Sequence, residues 1–435
     1  MRKSICFLGM VFLMLFAISC KQESSNTNVI SEEAVITSFY LYSDSINYID
    51  DYSFTIDNDS MLIYNYDSIA YGTEIDSLAF VLNPRFHKVY INDSIDYYSL
   101  TSIYLDFTKE VKFTVVAADK TTSADYRVRV NVHQVDPDTF IWKNVNSKVF
   151  EGDASTAKAV YVNERFVYLA VVDGELVVNE SVDGASWTSI VPTGLDVDLA
   201  KLDLNNLVAT EDCMYAEEGG RLYKSVDGTA WSVVDATGVE VDRLLFAMNG
   251  KVYAITATGS VAQLDGTEWS DLGALPAGFP VEGGAVLVAD APSGKGRVFV
   301  VGGIDKDGNY LSSVWSSEDG VYWSDMTGGK EQFTPRAYAA VAQYGEGLML
   351  FGGIAEGGEK VVDDAQLFSK DYGMTWSEPK AKSVVDSLYV PRYEHSAIVT
   401  PEGYVYLVGG RASAEGTIND VWQGLNYASL PGFRR

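Results

Sequence analysis

The sequence is poor in cysteine, poor in histidine and short of positive charge. Of three cysteines, Cys6 and Cys20 lie near the N-terminus and Cys213 stands alone, so no disulfide framework can form beyond residue 20. Cys213 sits in the apolar stretch Cys213-Met214-Tyr215, which suits a buried structural thiol better than a nucleophile. Three histidines in the whole chain leave little material for histidine-based catalysis. No zinc-type Cys/His spacing, phosphate-cradling glycine loop or serine nucleophile elbow occurs, so neither a metal nor a cofactor is expected. The 32 basic residues are outweighed by 60 acidic ones, a net charge of −28. Such a surface repels phosphate backbones and argues against nucleic acid as a partner; its direct physical effect is solubility. After the first twenty residues no apolar run is long enough to cross a bilayer.

The first twenty residues have a different composition. Arg2 and Lys3 precede an apolar run from Ile5 to Ile18, which fits a signal-peptide core. The run closes with Ala17-Ile18-Ser19-Cys20, which resembles the lipobox of bacterial lipoproteins, although Ala17 departs from the usual leucine. That resemblance implies a signal peptide over 1–19 and an acylated Cys20 as the only membrane contact. Residues 20–32 are polar and read as a flexible tether. Its start, Lys21-Gln22-Glu23, resembles the export signal of Bacteroidetes surface lipoproteins, which implies an outer-membrane, surface-exposed location.

Residues 33–136 alternate apolar and polar positions in short runs, such as Val35 to Leu41, Ser77 to Leu82, Val111 to Val116 and Tyr126 to Val132. Period-two alternation with regular turns predicts half-buried strands in a sandwich. In the last run Tyr126, Val128, Val130 and Val132 face inward. The stretch from Asp106 to Val132 resembles the immunoglobulin-like or cadherin-like modules of surface lipoproteins. Tyrosines such as Tyr64, Tyr66, Tyr71, Tyr97 and Tyr98 could stack on sugars, or could simply form cross-strand pairs.

Residues 138–435 contain an internal repeat, and the repeat decides the fold. An Asp-Gly turn followed by Trp recurs at Ser181 to Trp187, Ser225 to Trp231, Leu264 to Trp269, Ser317 to Trp323 and Ser369 to Trp376. In each, Asp bonds backbone N–H groups of the turn, Gly supplies positive φ, and Trp packs between neighbouring sheets. The copy Ser369-Lys370-Asp371-Tyr372-Gly373-Met374-Thr375-Trp376 resembles the Asp-box of sialidases and related propellers. Val298 to Gly303, Leu348 to Gly353 and Val405 to Gly410 resemble kelch strands ending in a double glycine, with Pro335-Arg336 and Pro391-Arg392 at the kelch arginine position. Both families are propellers. After Trp376 only three strand-like runs remain. Phe140-Ile141-Trp142-Lys143-Asn144-Val145 reads as the missing strand and is expected to pair with the C-terminal strands, because closure removes exposed sheet edges. The expected fold is thus all-β: an immunoglobulin-like sandwich over 33–136, then a six-bladed propeller over 138–435 closed by an N-terminal strand.

Propeller ligands usually sit at one mouth of the central channel. The loop residues that could meet one are Arg336, Tyr338, Arg392, Tyr393, His395 and Arg411, with Asp305 and Glu394 as acids. Clustered arginines could hold a carboxylate or sulfate bidentately; alternatively, kelch-type arginines bond neighbouring carbonyls and hold the ring together. Asp305-Lys306-Asp307-Gly308-Asn309 echoes a calcium loop without its closing glutamate, and a hairpin turn explains it. No catalytic residues are assigned. The whole arrangement resembles Bacteroidetes lipoproteins that join an immunoglobulin-like module to a kelch-like propeller. It implies a monomeric, non-catalytic envelope protein that binds a glycan or protein. The alternatives are a glycan-active hydrolase or lyase, and a structural part of an envelope complex.

Overall fold

A computed structural model describes residues 31–85, 88–99, 104–134, 136, 139–290, 296–344, 347–357, 366–378, 388–413 and 416–426. The expected signal peptide, the acylated Cys20 and the tether up to residue 30 lie outside the described residues. The described residues form strands and short 3-10 turns and contain no α-helix; none is therefore a helix able to cross a membrane. The chain divides into two compact units, Met1–His133 and Gln134–Arg435.

In the first unit Val35–Tyr42, Leu78–Arg85 and Tyr104–Leu105 form one sheet. A second sheet of six strands runs in the order Phe54–Asp57, Leu62–Asn65, Ser123–Arg129, Val111–Val116, Lys88–Ile91, Ile95–Asp96. Alternation sets the faces: Tyr126 and Val128 are buried while Arg127 and Arg129 are exposed. One core serves both sheets, with Phe80 stacked at 6.1 Å from Phe39 of its own sheet and 5.1 Å from Phe113 of the other. The run from Tyr126 continues past the strand, and Val132 bridges to Ile69.

Among the described residues the second unit is built of six sheets of three to five strands and a two-stranded ribbon, Arg411–Ser413 with Gly416–Thr417. The first comprises Ala154–Val162, Arg165–Val172, Glu175–Ser181 and Thr188–Ile190. The second comprises Val208–Ala209, Met214–Glu218, Arg221–Ser225 and Ser232–Val234. The third comprises Val241–Met248, Lys251–Thr256, Ser260–Asp265 and Glu268–Ala274, with Thr237–Gly238 added in parallel. The fourth comprises Ala285–Asp290, Gly296–Val301, Val314–Ser317 and Ser324–Asp325. The fifth comprises Ala340–Tyr344, Gly347–Phe351 and Gln366–Ser369. The sixth joins Ser396–Val399, Val405–Val408 and Val421–Asn426 to Phe140–Asn146 from the start of the unit.

In every sheet but the second, where Met214–Glu218 ends in two glutamates, the second strand is close to a continuous apolar run, because it is covered on both faces. Hydrophobic cores lie between consecutive sheets rather than within one. Val167 and Leu169 of the first sheet meet Met214 and Tyr223 of the second. Phe140, Trp142 and Leu407 of the sixth meet Met349 and Phe351 of the fifth. Tyr406 and Val408 of the sixth meet Phe166 and Tyr168 of the first, so the series returns to its beginning. Within the sixth sheet Trp142 faces Gly424 across the strand pair, where an added Cβ would come within 2.5 Å of the indole.

The repeated Asp turns join the third and fourth strands of the first four sheets, and in the fifth the turn leads from the third strand to an isolated bridge between Phe368 and Ser377. In the first, Asp183 accepts the N–H groups of Ala185 and Ser186 at 2.8 and 2.7 Å, Ser181 Oγ accepts Gly184 N–H at 2.9 Å, and the Trp187 indole donates to the Gly184 carbonyl at 2.9 Å. The turn at Asp371 repeats the pattern, with the Trp376 indole on the Gly373 carbonyl at 3.2 Å. These glycines have a second duty besides positive φ. A Cβ on Gly228 would lie 2.7 Å from Val167 of the preceding sheet, one on Gly320 2.5 Å from Tyr253, and one on Gly373 2.7 Å from Val314. A Cβ on Gly184 would meet Tyr406 of the sixth sheet at 2.5 Å. Four of the five turns are seated against a neighbouring sheet, and there only glycine leaves room for the approach; Gly266 of the third turn has open space around it.

Candidate functional site

The site forms where the innermost strands of the second unit begin. In the last three sheets a residue in the left-handed region opens that strand: Gly283 (φ 62°), Tyr338 (φ 54°) and Glu394 (φ 54°). They are linked in series, since Tyr338 N–H donates to the Gly283 carbonyl at 2.6 Å and Glu394 N–H donates to the Tyr338 carbonyl at 2.8 Å. This strained register aims the side chains of Tyr338 and Glu394 at the centre of the ring.

A cavity of about 290 Å³ results, lined by Lys158, Asp203, Asp242, Glu282, Tyr338 and His395 among others. Those six belong respectively to the first through the sixth sheets or the loops that enter them. An adjoining cavity of about 460 Å³ shares Asp203, Asn205, Tyr338 and Glu394 and adds Lys201, Tyr393 and Arg411.

Most charges here are already engaged. Glu394 is paired with Arg411 at 2.9 Å, and Arg411 also donates to the Ser155 carbonyl of the first sheet at 2.8 Å. Asp242 is paired with Arg243 at 2.9 Å. Glu282 accepts the Tyr338 hydroxyl; burial, and then that carboxylate, push the Tyr338 phenol far up. Asp203 accepts the Asn205 N–H and the Asn206 amide, each at 3.0 Å. Burial raises the Glu394 carboxyl despite Arg411, and burial lowers the Lys158 ammonium despite Asp203 and Glu394.

Of the six residues expected at the mouth, four line these cavities: Tyr338, Tyr393, His395 and Arg411. Arg336 and Arg392 do not, which corrects their assignment as ligand-binding candidates. They are 1% and 0% exposed. Arg336 donates to the Thr334 and Gly352 carbonyls, each at 3.0 Å. Arg392 donates to the Val390 carbonyl at 2.9 Å and the Gly409 carbonyl at 3.0 Å, pairs with Asp420, and lies 4.2 Å from the Tyr389 ring centre. Their backbone carbonyls in turn accept the N–H of Gly303 and Gly353 in the preceding sheets. A buried guanidinium with its fork so filled ties its loop to its own sheet and has no edge left for a ligand, while the backbone carbonyl makes the link to the preceding sheet. Asp305 also falls away from the cavities: its carboxylate accepts the Asp307 and Asn309 N–H groups of its own turn, each at 2.9 Å. Cys213 is half-buried, its thiol pushed up by burial.

Sequence reading missed Lys158, Asp203, Asp242 and Glu282. The first three units carry no Pro-Arg or double-glycine signature to set their register. Glu282 could have been found by aligning Gly283-Gly284-Ala285 with Tyr338-Ala339-Ala340.

His395 is 3% exposed, and neither ring nitrogen has a hydrogen-bond partner. Burial, and then the charges of Arg392 and Lys158, hold its imidazole well below the usual 6.5. The unfolded chain therefore binds a proton that the folded one refuses. Below pH 6.5, down to the depressed folded value, His395 should cost the second unit up to about 1.4 kcal/mol of stability per pH unit of acidification. Glu394, raised above 4.5, acts with the opposite sign in its own window, where stability is lost as pH rises. Denaturant midpoints at a series of pH values below 6.5, for the wild type and His395→Gln, isolate the histidine; parallel curves would exclude it.

Comparison with known proteins adds a family. The model of the DUF6242 β-propeller domain matches residues 136–432, and that of the DUF6242 N-terminal domain of unknown function matches residues 16–130. No curated protein matches the chain. Among solved structures, the one titled "Structure of YjhT" is similar over 64% of this chain and 96% of its own, at 11% identity and a TM-score of 0.47.

Proposed function

The chain belongs to the DUF6242 family of β-propeller proteins, and we propose that it is a non-catalytic cell-envelope lipoprotein that binds a glycan at the propeller mouth. In this reading the six sheets are six blades, closed by the strand Phe140–Asn146. The first unit is an immunoglobulin-like spacer, and acylated Cys20 tethers the monomer to the outer membrane at the cell surface. The observation that carries the reading is the composition of the mouth. Each sheet contributes a hydrogen-bonding side chain to one cavity, and carboxylates, amides and a phenol are the groups that recognise sugar hydroxyls. A protein partner is the second kind of ligand the mouth could meet.

The test is a broad glycan array together with an envelope pull-down, followed by calorimetry on any hit. Tyr338→Phe keeps the ring and removes one hydroxyl, and should weaken a hit by about twofold to tenfold. An empty array and an empty pull-down together would overturn the proposal.

One observation favours a hydrolase or lyase as the second reading: the Tyr338 hydroxyl is hydrogen-bonded to the Glu282 carboxylate inside the cavity. Against it, Arg336 and Arg392 are buried on carbonyls and do not converge with Arg411 on a ligand. Turnover of an array hit would establish it.

A further inference from the structure

Accounting for every charge at the mouth isolates two groups. Asp203, Asp242, Glu282 and Glu394 are each satisfied by a protein partner. Arg243 and Arg411 are spent on two of those acids, and Lys201 pairs with Asp198 at 3.2 Å. Among the described residues, Lys158 has no ion-pair or hydrogen-bond partner, and His395 is buried with both ring nitrogens unpaired. Lys158 lies on the innermost strand of the first sheet, and His395 opens that of the sixth, directly alongside it. The two strands are joined next to this pair, where the Ala159 N–H donates to Ser396 Oγ at 3.0 Å. A buried donor left unpaired costs free energy, which applies to His395; Lys158 is half-buried and holds its ammonium open to the cavity. The cavity's unspent capacity is thus donor capacity, one fixed positive charge with a neutral imidazole beside it. The satisfied acids around it can still accept from hydroxyls.

We propose that Lys158 and His395 form a subsite for a singly charged oxyanion group, a carboxylate or a sulfate ester, carried by a sugar whose hydroxyls meet Asp203, Glu282 and Glu394. This deepens the glycan reading and rests on it. Lys158 supplies the charge, which binds an oxyanion as a point cation. His395 donates one N–H, and Leu244, Leu245, Val286 and Val300 of the third and fourth sheets add apolar surface to the same cavity.

The test compares D-glucuronate, glucose 6-sulfate and D-glucose, which share one ring frame, as ligands of the full chain in solution. Affinity is read by calorimetry and by the imidazole C–H signals of the three histidines. The His395 signal is assigned by its loss in His395→Gln. An acidic sugar should bind at least about tenfold more tightly than glucose, the scale of one charge-assisted contact, and should shift the His395 signal. Preference between glucuronate and glucose 6-sulfate tells carboxylate from sulfate. Lys158→Met should bring the acidic sugar down to the affinity of glucose, and Lys158→Arg should restore most of the difference; a native thermal transition checks that both variants fold. Equal binding of all three sugars, binding of none, or a preference that survives Lys158→Met would overturn the subsite. Hits on the array would leave the broader glycan reading standing in each of those cases, so the two failures are distinguishable.

Discussion

Replacing Arg392 with methionine should cost the second unit about 3–5 kcal/mol, the range for removing one partner of a buried ion pair. Methionine fills much of the volume, so lost packing is a small part of that cost. What remains is Asp420, whose side chain is 17% exposed and would keep its charge without its cation. The Gly409 and Val390 carbonyls would lose their donors as well. Gly409 cannot shift to compensate, because it holds a left-handed conformation against the Tyr168 hydroxyl. All eight tryptophans lie beyond residue 134, so tryptophan fluorescence under denaturant follows the second unit alone. Arg392→Lys keeps the charge but not the fork and should fall between wild type and Arg392→Met. A loss below about 1 kcal/mol for Arg392→Met would show that the arginine does not anchor its loop to the sixth sheet, and would return it to the ligand-facing set.

Trp142→Ala should be comparably severe, at about 3–5 kcal/mol. Trp142 is 8% exposed and packs on Phe140, at 5.7 Å between ring centres, and edge-on to Phe351 of the fifth sheet, also at 5.7 Å. Its strand is the fourth of the sixth sheet and comes from the far end of the unit's sequence. Losing its anchor therefore weakens ring closure and not merely one contact. A cavity beside Gly424 would remain, since the strand pairing keeps the backbone apart. The seven remaining tryptophans still report the transition, and a shallower denaturant slope would indicate an opened sixth sheet. Stability within about 1 kcal/mol of wild type would mean that closure depends on strand pairing alone.

The arginines show why part of the site was illegible. Pro-Arg at two equivalent positions stated that Arg336 and Arg392 share a role, and the structure gives them the same one. Which role depends on whether the guanidinium points into the channel or between sheets. That choice is set by the double-glycine carbonyls, about sixteen residues away in sequence. Tyr338 and His395 were legible because they follow the arginines in the same loops. Lys158 was not, because nothing local separates it from the other alternating residues of Ala154–Val162. It becomes distinctive only when four other sheets bring their acids to the same cavity and leave it unpaired.

Local pattern alone fixed the all-β class, the repeated Asp-Gly turns, and the identity of Phe140–Asn146 as a strand in search of a sheet. These follow from period-two burial, positive φ and the edge that an unclosed ring would expose, all of which are written into neighbouring residues. Tertiary structure decided the rest. It determined that the turn glycines wedge against the preceding sheet, that Arg336 and Arg392 are buried ties, and that Lys158 and His395 are left unsatisfied. Those outcomes depend on which partners reach each polar group through space, and in a ring the partners come from strands dozens to hundreds of residues apart.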